Sequence, residues 1–578
     1  MPTFSHEDEL PRVPLPTLQE TADRFLAWSA PLLTADELAE TEAAVAELLA
    51  PGSPAHALHA DLVAYDARPD VASWLDEFWR DRYLGRRDRI ALNANFFFLF
   101  QDSPLGQVER AAQLTASTVA FKATIDDETL PAAEQRGRPL SMHQNRFLFS
   151  ATRIPGDPRD TSRNPYSPEW PGPSRERHVV VLHRGALVRL DVIDPDGRPY
   201  TAEELAAALR EVLREGPGDG VGALTSKARA EWAASRAALI DAGNAEVLDE
   251  LERALFCVVL EDGTPESPLA AADRLLHGDA ANRWFDKAVS LVVFADGRAG
   301  INGEHCNLDG TTIVAYLDAI LTAEPTTGGD AVPATRRLEF VLDDALRADI
   351  ADARAAFADY AAAVATRTLS VDFDAERAKA LKCSPDAFAQ LAFQLTHQRA
   401  KGHLGATYES IATRAFRHGR TEAMRVVTPE VVAFVAAMED PAADAHTRRE
   451  AFRAAADAHV ARAKECQAGQ APEQHLWELQ LRQKRQGGGE PMAVFDSPAW
   501  RIVRDDYLST SAVPSANIQY FGFGSTSEKC IGVGYAMLPD RFDLYLSTPA
   551  TVAEQMAVFA RELPAVVREL EALLTDGG

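Results

Sequence analysis

The stretch AVSLVVFADGRAGINGEHCNLDGTTIVAYLDAIL, residues 288–321, decides the fold. Its opening, AVSLVVFA (288–295), is a continuous apolar run that predicts a buried β-strand. Between this strand and a following helix we expect a tight turn at Gly300–Gly303 and a rigid junction that carries His305. The helix is predicted from apolar side chains at helical spacing, namely Ile313, Val314, Leu317, Ile320 and Leu321.

A histidine at a strand-to-helix junction can be exposed in a cleft and still be held rigidly. Acyl transfer from a thioester to an alcohol needs a base for the hydroxyl proton, and imidazole is the side chain best matched to neutral pH. The pattern His305-x-x-x-Asp309-Gly310 is the HxxxDG arrangement of several thioester-dependent acyltransferases. On its own, the pattern leaves a structural histidine as an alternative.

The whole chain has the pattern of an α/β protein. Alanine-rich stretches with helical periodicity alternate with short apolar runs, and 578 residues are too many for one compact core. We therefore expect two large domains or a duplicated architecture. Clusters of Pro, Gly and Asp predict exposed loops at 155–175, 214–222, 324–335 and 486–491.

Two segments in the C-terminal half carry clear local signals. In CSPDAFAQLAFQL, Ser384 and Pro385 predict the start of a helix. In RFDLYLS (541–547), alternation of apolar and polar residues predicts a strand with one buried face. The apolar face of the predicted helix consists of Phe388, Leu391, Ala392 and Leu395.

The charge balance excludes one class of partner. Lys and Arg number 59 against 86 Asp and Glu, which gives a net charge of -27. Such a chain repels polyanions, so we expect no nucleic-acid partner. An anionic substrate must therefore bind at a local cluster of basic residues, whose positive charge offsets the net negative charge of the chain.

The cysteines and the N-terminus bear on the compartment. The five cysteines are scattered and never form C-x-x-C, which predicts free thiols in a reducing environment. MPTFSHEDEL has neither the basic start nor the apolar core of a signal peptide, and no apolar run is long enough to span a membrane. These features predict a cytoplasmic protein.

Beyond the HxxxDG pattern, the sequence resembles the choline/carnitine O-acyltransferase family over nearly its whole length. The resemblance implies an α/β fold of the two-domain, chloramphenicol-acetyltransferase-like (coenzyme A-dependent acyltransferase) type, with mixed sheets and a central active-site tunnel. The matching segments occur in family order: LPRVPLPTLQETADRFL, RYLGRRDRIALNANFFF, DDETLP, ANRWFDK, EHCNLDG, SPDAFAQLAFQL, ATYESIATRAFRHGRTEAMR and LSTSAVP.

The same resemblance implies domain boundaries. Residues 1–72 are expected to pack with the C-terminal domain, residues 73–340 to carry the catalytic histidine, and residues 341–578 to supply donor and acceptor contacts. The two substrates are expected to enter from opposite ends of the tunnel and to meet at His305.

The resemblance also implies roles in catalysis. His305 aligns with the family's general base, and Ser511 with the hydroxyl that supports the oxyanion. Asp309 and Arg420 align with an ion pair that braces the catalytic loop. No metal and no permanently bound cofactor is predicted.

The predicted acceptor pocket departs from the family at one position. Tyr408, Ser410 and Thr421 match residues around the carnitine carboxylate, but Gln474 takes the place of the family's arginine. A carboxylate that loses such a partner loses roughly 2 to 5 kcal/mol of binding. The sequence therefore favours a neutral or cationic alcohol over carnitine. Ser509 and Phe521 complete the predicted pocket, the latter as a ring for a trimethylammonium group or as a core residue.

The predicted donor site departs further. Lys379 and Asp386 match family residues that contact coenzyme A, and Lys382, with Arg377, is expected to supply the basic patch. Three other contacts are missing, at Ala375, Val460 and Ala512. The donor is thus coenzyme A held by rearranged contacts or phosphopantetheine on an acyl carrier protein.

Three functions remain open from the sequence. The first is an O-acyltransferase that acts on a small amino or quaternary-ammonium alcohol. The second is an enzyme that offloads a carrier-bound acyl or polyketide chain onto a hydroxyl or amine. The third is a non-catalytic relative that binds acyl thioesters, which the retention of His305, Asp309 and Ser511 disfavours.

Overall fold

The computed structural model describes residues 2–575, and within that range two large mixed β-sheets are covered by helices. The strands of the first sheet are, in spatial order, β11 (Thr335–Arg337), β7 (Ala186–Asp191), β6 (His178–His183), β8 (Cys257–Leu260), β9 (Val289–Val293), β10 (Ala299–Gly303), β1 (Phe96–Phe100) and β16 (Ile518–Phe523). In this sheet, β6 and β8 are parallel, β8 and β9 are parallel, and the other neighbouring strands are antiparallel.

The second sheet is built from the C-terminal half of the chain. Its strands are, in spatial order, β12 (Val364–Val371), β18 (Arg541–Pro549), β17 (Ile531–Leu538), β15 (Leu508–Ala512), β13 (Thr407–Ala412) and β14 (Thr421–Arg425). Strand β15 runs parallel to both of its neighbours. Two short ribbons pair β2 (Glu134–Gln135) with β3 (Arg138–Pro139) and β4 (Thr152–Ile154) with β5 (Thr161–Arg163). The predicted α/β fold with two mixed sheets is confirmed.

Helices begin where the sequence offers caps. Thr17, Thr34 and Thr201 each form a capping box with a glutamate three residues later. The helices are α1 (Leu18–Ser29), α2 (Ala35–Leu49), α3 (Pro54–Asp66), α4 (Asp76–Leu84), α5 (Ile90–Asn93), α6 (Gln107–Asp126), α7 (Ala202–Val212), α8 (Arg229–Leu239), α9 (Ala245–Arg253), α10 (Pro268–Leu276), α11 (Gly310–Leu321), α12 (Asp344–Ala362), α13 (Ala375–Ala380), α14 (Pro385–Lys401), α15 (Pro429–Glu439), α16 (Ala445–Gln467), α17 (Glu473–Arg485), α18 (Pro498–Val503) and α19 (Ala553–Thr575).

The stretch that decides the fold forms β9, β10 and α11, so the predicted buried strand and helix are confirmed. The predicted turn at Gly300–Gly303 is wrong, because these residues are strand β10 and pair with β9 and β1. The turn lies earlier, where Gly297 has φ +86°. Gly300 is instead required for the close approach of β1, since a Cβ at this position would lie 2.3 Å from the Phe98 carbonyl oxygen.

The two local predictions in the C-terminal half are confirmed at their starts. Ser384 caps α14 and Pro385 is its first residue. The helix is buried on all sides from residue 387 to 397, because α16 and α19 pack against it as well as the second sheet. Strand β18 extends beyond the predicted segment to Pro549, and both of its faces are buried over residues 544–548.

The predicted loops lie outside the large sheets except at Thr335, the first residue of β11, and two further segments differ from the prediction. Residues 161–163 form β5, and residues 220–222 are buried at the start of a short 3-10 helix. Within residues 2–575, each of the five cysteines is unpaired and buried. No helix in the described part of the chain combines the length and the hydropathy needed to cross a bilayer.

Each half of the chain contributes elements that pack with the other half. Strand β16, from the predicted C-terminal domain, pairs with β1 and places Phe521 opposite Phe98 in the first sheet. The N-terminal helices α1 to α3 share a buried cluster with α17 and α18, although Trp74–Tyr83 and Cys306 also belong to it. Met1 and residues 576–578, the outer ends of the predicted domains, lie outside the described residues.

Candidate active site

His305 lies in the short connection between β10 and α11. Its Nδ1 atom is 2.5 Å from the carbonyl oxygen of Leu308, and its Nε2 atom is 3.3 Å from the hydroxyl oxygen of Tyr83. A carbonyl oxygen only accepts hydrogen bonds, so Nδ1 carries the proton in the neutral ring. Nε2 is then the unprotonated nitrogen, as a general base requires.

The surroundings of His305 favour its neutral form. Its side chain is 27% exposed, and its ring packs against the rings of Tyr83 and Phe96 at centroid distances of 4.8 and 5.0 Å. Burial lowers the pKa of His305 below 6.5, although the nearby Asp309 carboxylate opposes the shift. The imidazole is therefore unprotonated at neutral pH.

The predicted ion pair between Asp309 and Arg420 is present beneath the loop that carries His305. Nη2 of Arg420 lies 2.9 Å from Oδ1 of Asp309, and both side chains are buried. Arg420 also donates to the backbone carbonyls of His305 at 2.9 Å and Cys306 at 2.6 Å. One guanidinium thus holds three points of the loop that carries His305.

Gln144 is a second brace that the sequence did not reveal. Its Nε2 donates to Oδ2 of Asp309 at 2.6 Å, while its Oε1 accepts from the Asp309 backbone amide at 2.8 Å and from the Thr312 hydroxyl at 3.0 Å. Gln144 is buried. It fixes both the side chain and the backbone of Asp309 at the start of α11.

A buried arginine ties Tyr83 to the same loop. Arg153 donates from Nη2 to the Tyr83 carbonyl oxygen at 2.7 Å and from Nη1 to Glu304 at 3.3 Å. Glu304 in turn accepts from the Cys306 backbone amide at 3.0 Å. The imidazole and the phenol that faces it are therefore parts of one buried network.

His305 opens into a cavity of about 180 Å³ between the two sheets. Eight of the predicted site residues line it, from both halves of the chain. They are His305, Asp309, Tyr408, Ser410, Thr421, Ser509, Ser511 and Phe521. Residues far apart in sequence thus meet around one small space, although the role of each stays a prediction.

Strand β15 sets the direction of the predicted oxyanion residue. The hydroxyl of Thr510 accepts from Gln390 of α14 at 2.9 Å and donates to the Tyr408 carbonyl oxygen at 2.9 Å. Because side chains alternate along a strand, Ser509 and Ser511 share one face of β15. Both line the cavity of His305.

A second cavity of about 420 Å³ adjoins the first and shares Tyr408, Thr421 and Ser509 with it. Gln474 lines this second cavity. Its Nε2 donates to the Thr421 carbonyl oxygen at 2.7 Å, whereas its buried Oε1 has no hydrogen-bond partner within residues 2–575. The amide at the predicted carboxylate position therefore turns an unsatisfied acceptor, not a donor, toward its surroundings.

Phe521 has both of the roles that the sequence left open. It belongs to the hydrophobic core, where its ring stacks on Phe98 at 4.9 Å. It also lines the cavity of His305. A core side chain thus provides one apolar wall of the site.

The predicted donor residues lie outside the linings of these two cavities. Lys379 pairs with Glu376 at 2.7 Å, and Arg377 pairs with Glu571 at 2.6 Å. Arg377 is thus already neutralised and offers no unpaired charge to a phosphate. Among residues 2–575, Lys382 has no carboxylate partner and has φ +56°.

Asp386, whose side chain is partly exposed, forms a polar cluster with the buried Glu409 and His459, and the ligand-type atoms of the three residues all lie within 4.8 Å of one another. Asp386 accepts from the Tyr535 hydroxyl at 2.5 Å and lies 3.1 Å from Nε2 of His459. Burial and the adjacent Asp386 charge raise the pKa of Glu409. Two carboxyl groups and an imidazole can share a proton here or bind a cation.

The chain is similar to known proteins over nearly its whole length. The family model described as Choline/Carnitine o-acyltransferase matches residues 13–565. The mouse (Mus musculus) protein "Carnitine O-palmitoyltransferase 2, mitochondrial" is 31% identical over 601 residues, which cover 93% of this chain and 88% of that protein. The pigeon (Columba livia) carnitine O-acetyltransferase is 31% identical over 603 residues, covering 98% and 94%. The condensation domain from the Monacolin K polyketide synthase MokA aligns at 10% identity with a TM-score of 0.36, over 86% of this chain and 95% of that one.

Proposed function

Because the chain is an acyltransferase that belongs to the choline/carnitine O-acyltransferase family, we propose that it acylates a small amino or quaternary-ammonium alcohol from a coenzyme A thioester. His305 is the general base. The observation that carries the proposal is the hydrogen bond from Nδ1 of His305 to the Leu308 carbonyl oxygen. It leaves Nε2 unprotonated and able to take a proton in a cavity that also contains Ser511.

The proposed reaction proceeds in two steps, formation of a tetrahedral oxyanion and its collapse. The acceptor oxygen attacks the thioester carbonyl carbon while Nε2 of His305 takes the hydroxyl proton, and the Ser511 hydroxyl donates to the oxyanion that forms. The oxyanion then collapses, the carbon–sulfur bond breaks, and the imidazolium returns its proton to the thiolate. The products are an ester and a thiol.

The rigid loop beneath His305 supports this assignment. The Asp309 carboxylate and the Arg420 guanidinium form a buried pair, and Arg420 holds the backbone on both sides of the bond between residues 305 and 306. A base held in one orientation avoids the entropy cost of aligning it in each turnover. Asp309 and Arg420 thus act as supports and do not touch the reacting atoms.

The acceptor assignment rests on Gln474. Its Nε2 is bound to the backbone and its buried Oε1 lacks a donor, so it suits an N–H or O–H group better than a carboxylate. Tyr408, Ser410 and Thr421 supply polar walls, and with Ser509 they line the space beside His305. Phe521 offers a ring face to a cationic group.

The donor is proposed to be coenzyme A, in keeping with the family, with Lys379, Lys382 and Asp386 at its site. Its tunnel is proposed to reach His305 from the side opposite the acceptor, between a domain of residues 73–340 and one of residues 341–578 with 1–72. The cytoplasmic location also stays a prediction.

A second candidate function follows from the donor residues. Arg377 and Lys379 already pair with carboxylates, which leaves few free charges for a 3'-phosphate. Phosphopantetheine on an acyl carrier protein has no such phosphate. Offloading of a carrier-bound chain onto a hydroxyl or amine is therefore the alternative.

The test measures thiol release from acetyl-, octanoyl- and palmitoyl-coenzyme A with choline or with carnitine, and uses His305→Ala as the control. Thiol release that requires choline but not carnitine supports the role of Gln474. Release with carnitine contradicts that role. If no donor and acceptor pair gives thiol release, a carrier-protein donor is favoured. If the protein binds acyl thioesters but turns over none of them, a non-catalytic relative is favoured.

A further inference from the structure

We propose that Asp386, Glu409 and His459 form a binding site for a divalent transition-metal ion such as Zn²⁺, on the face of the second sheet that is turned away from His305. The sequence predicts no metal, because the three residues belong to three different elements and form no ligand motif. The inference stands apart from the proposed function, since its test requires neither an acyl donor nor an acceptor.

Three elements of the C-terminal half bring the ligands together. Asp386 lies in the first turn of α14, Glu409 lies on β13, and His459 lies on α16. Helix α16 packs against both α14 and β13. The packing of two long helices on the sheet thus sets the positions of all three side chains.

The distances within the cluster suit a metal ion. Nε2 of His459 lies 3.1 Å from Oδ2 of Asp386 and 3.7 Å from Oε2 of Glu409. Nitrogen and oxygen ligands that are about 2.0 to 2.2 Å from Zn²⁺ are themselves about 2.8 to 3.6 Å apart in a tetrahedral or octahedral site. Shifts of a few tenths of an ångström would therefore complete the arrangement.

The carboxylate of Glu409 lacks the donors that a buried carboxylate needs. Glu409 is 4% exposed, and its Oε2 has no hydrogen-bond partner within residues 2–575. The same atom faces Nε2 of His459, so it points into the cluster. A buried oxygen without a donor costs free energy, and coordination to a cation removes this cost.

No cationic side chain of the described residues neutralises the two carboxylates. His459 is the ion-pair partner of both Asp386 and Glu409, and neither pairs with a lysine or an arginine within residues 2–575. By contrast, the buried Glu473 pairs with Arg425. Two carboxylates held close together repel each other, and a divalent ion would supply the positive charge that offsets this repulsion.

The donor set favours a transition metal over Mg²⁺ and Ca²⁺. Imidazole nitrogen suits Zn²⁺ and its neighbours in the first transition row, whereas Mg²⁺ and Ca²⁺ prefer oxygen ligands alone. The Asp386 side chain is 40% exposed. An ion can therefore enter from solvent, and water can fill the coordination positions that the protein leaves open.

An ion in this cluster would brace the wall of the His305 cavity from behind. Side chains alternate along a strand, so Glu409 lies on the opposite face of β13 from Tyr408 and Ser410, which line the cavity. The ion would tie β13 to α14 and α16. Its expected effect is an increase in the stability of the second sheet.

The test is calorimetric titration of the full-length protein, freed of metal by a chelator, with Zn²⁺ and with Mg²⁺. We expect one Zn²⁺ per chain, bound at least about a hundredfold more tightly than Mg²⁺. Saturating Zn²⁺ should raise Tm by at least about 2 °C. Glu409→Gln and His459→Gln should each weaken Zn²⁺ binding at least about tenfold and abolish the rise in Tm.

His446→Gln is the matched control, because His446 lies on the same helix as His459 and is exposed. It removes an imidazole and should leave the affinity for Zn²⁺ within about twofold. Circular dichroism of the metal-free variants checks the fold. Glu409→Gln keeps the shape of the side chain, so it separates the loss of a ligand from the loss of structure.

Titration with Co²⁺ separates the proposed cluster from the buried cysteines. Co²⁺ bound to a thiolate gives an intense charge-transfer absorption in the near ultraviolet, whereas a site of one imidazole and two carboxylates gives only weak visible bands. The proposal is overturned if Zn²⁺ does not bind, if its affinity is the same in Glu409→Gln and His459→Gln as in the parent, or if bound Co²⁺ shows thiolate absorption. The first outcome would leave the cluster as two carboxyl groups that share a proton.

Discussion

Nε2 of His305 lies 3.3 Å from the phenolic oxygen of Tyr83. Since Nδ1 donates to the Leu308 carbonyl, this phenol occupies the position from which a substrate hydroxyl would give up its proton. Burial raises the pKa of Tyr83, so the phenol stays protonated and donates to Nε2. In the proposed mechanism, an acceptor alcohol displaces this hydrogen bond and places its hydroxyl where the phenol of Tyr83 now lies.

The first prediction concerns the base itself. His305→Ala should lower kcat by about 10² to 10⁴, because a positioned general base contributes that much. The side chain is partly exposed toward the cavity, so the fold should persist. Thiol release measures the activity and circular dichroism the fold. Substantial residual turnover in a folded variant would refute the catalytic assignment.

The second prediction concerns pH. A general base acts only when it is neutral, and burial lowers the pKa of His305 below 6.5. Activity is therefore lost only as the pH falls through this lowered value, and the acidic inflection of kcat/KM should lie below pH 6.5. A pH profile of thiol release tests this. An acidic inflection above pH 6.5 would assign the limiting proton to another group.

Local signals in the sequence sufficed for the elements on either side of His305. The apolar run of β9 and the helical spacing of α11 depend on neighbours in the chain, so they were predicted. The glycines at 300 and 303 locally favour a turn, and the packing that places them in β10 instead involves residues remote in sequence. Gly300 is required by the Phe98 carbonyl and the Leu275 side chain of other elements, which no local pattern encodes.

The site itself was predicted only where a family motif carried it. Gln144 lies 165 residues from Asp309 in sequence, and nothing in SMHQNRF distinguishes it from a surface glutamine. Pairing and burial are properties of the folded chain.

The third prediction separates the two serines of β15. Ser511→Ala should lower kcat by about 10² to 10³ with little change in KM, because an oxyanion donor acts only in the transition state. Ser509→Ala should instead raise KM for the acceptor. Steady-state kinetics with varied acceptor distinguishes the two. Equal effects on KM for both variants would remove the oxyanion role from Ser511.

The fourth prediction concerns the ion pair beneath the loop. Asp309→Asn and Arg420→Met should each lower the free energy of unfolding by about 3 to 5 kcal/mol, because each leaves a buried charge unpaired. The double variant should lose less than the sum, since it removes both charges. Urea denaturation of the parent, the two single variants and the double variant gives the four free energies of this double-mutant cycle. Strict additivity would mean that the pair does not act as a unit.

The fifth prediction concerns Glu422, which is 1% exposed on β14 and whose Oε2 has no hydrogen-bond partner within residues 2–575. Burial and the charge of Glu473 raise the pKa of Glu422 well above 4.5. Between pH 4.5 and that raised pKa the folded state binds more protons than the unfolded state, so stability falls as the pH rises. The slope is about 1.4 kcal/mol per pH unit for one proton.

Glu422→Gln removes this titration and should stabilise the protein relative to the parent by an amount that grows from pH 5 to pH 7.5. Urea denaturation at both pH values measures the difference, with Glu450→Gln at an exposed position as the control for the loss of one charge. If the stabilisation were the same at both pH values, Glu422 would already be ionised in the fold. Burial without a partner would then not govern its protonation, and the second sheet would hold a charge that its surroundings do not neutralise.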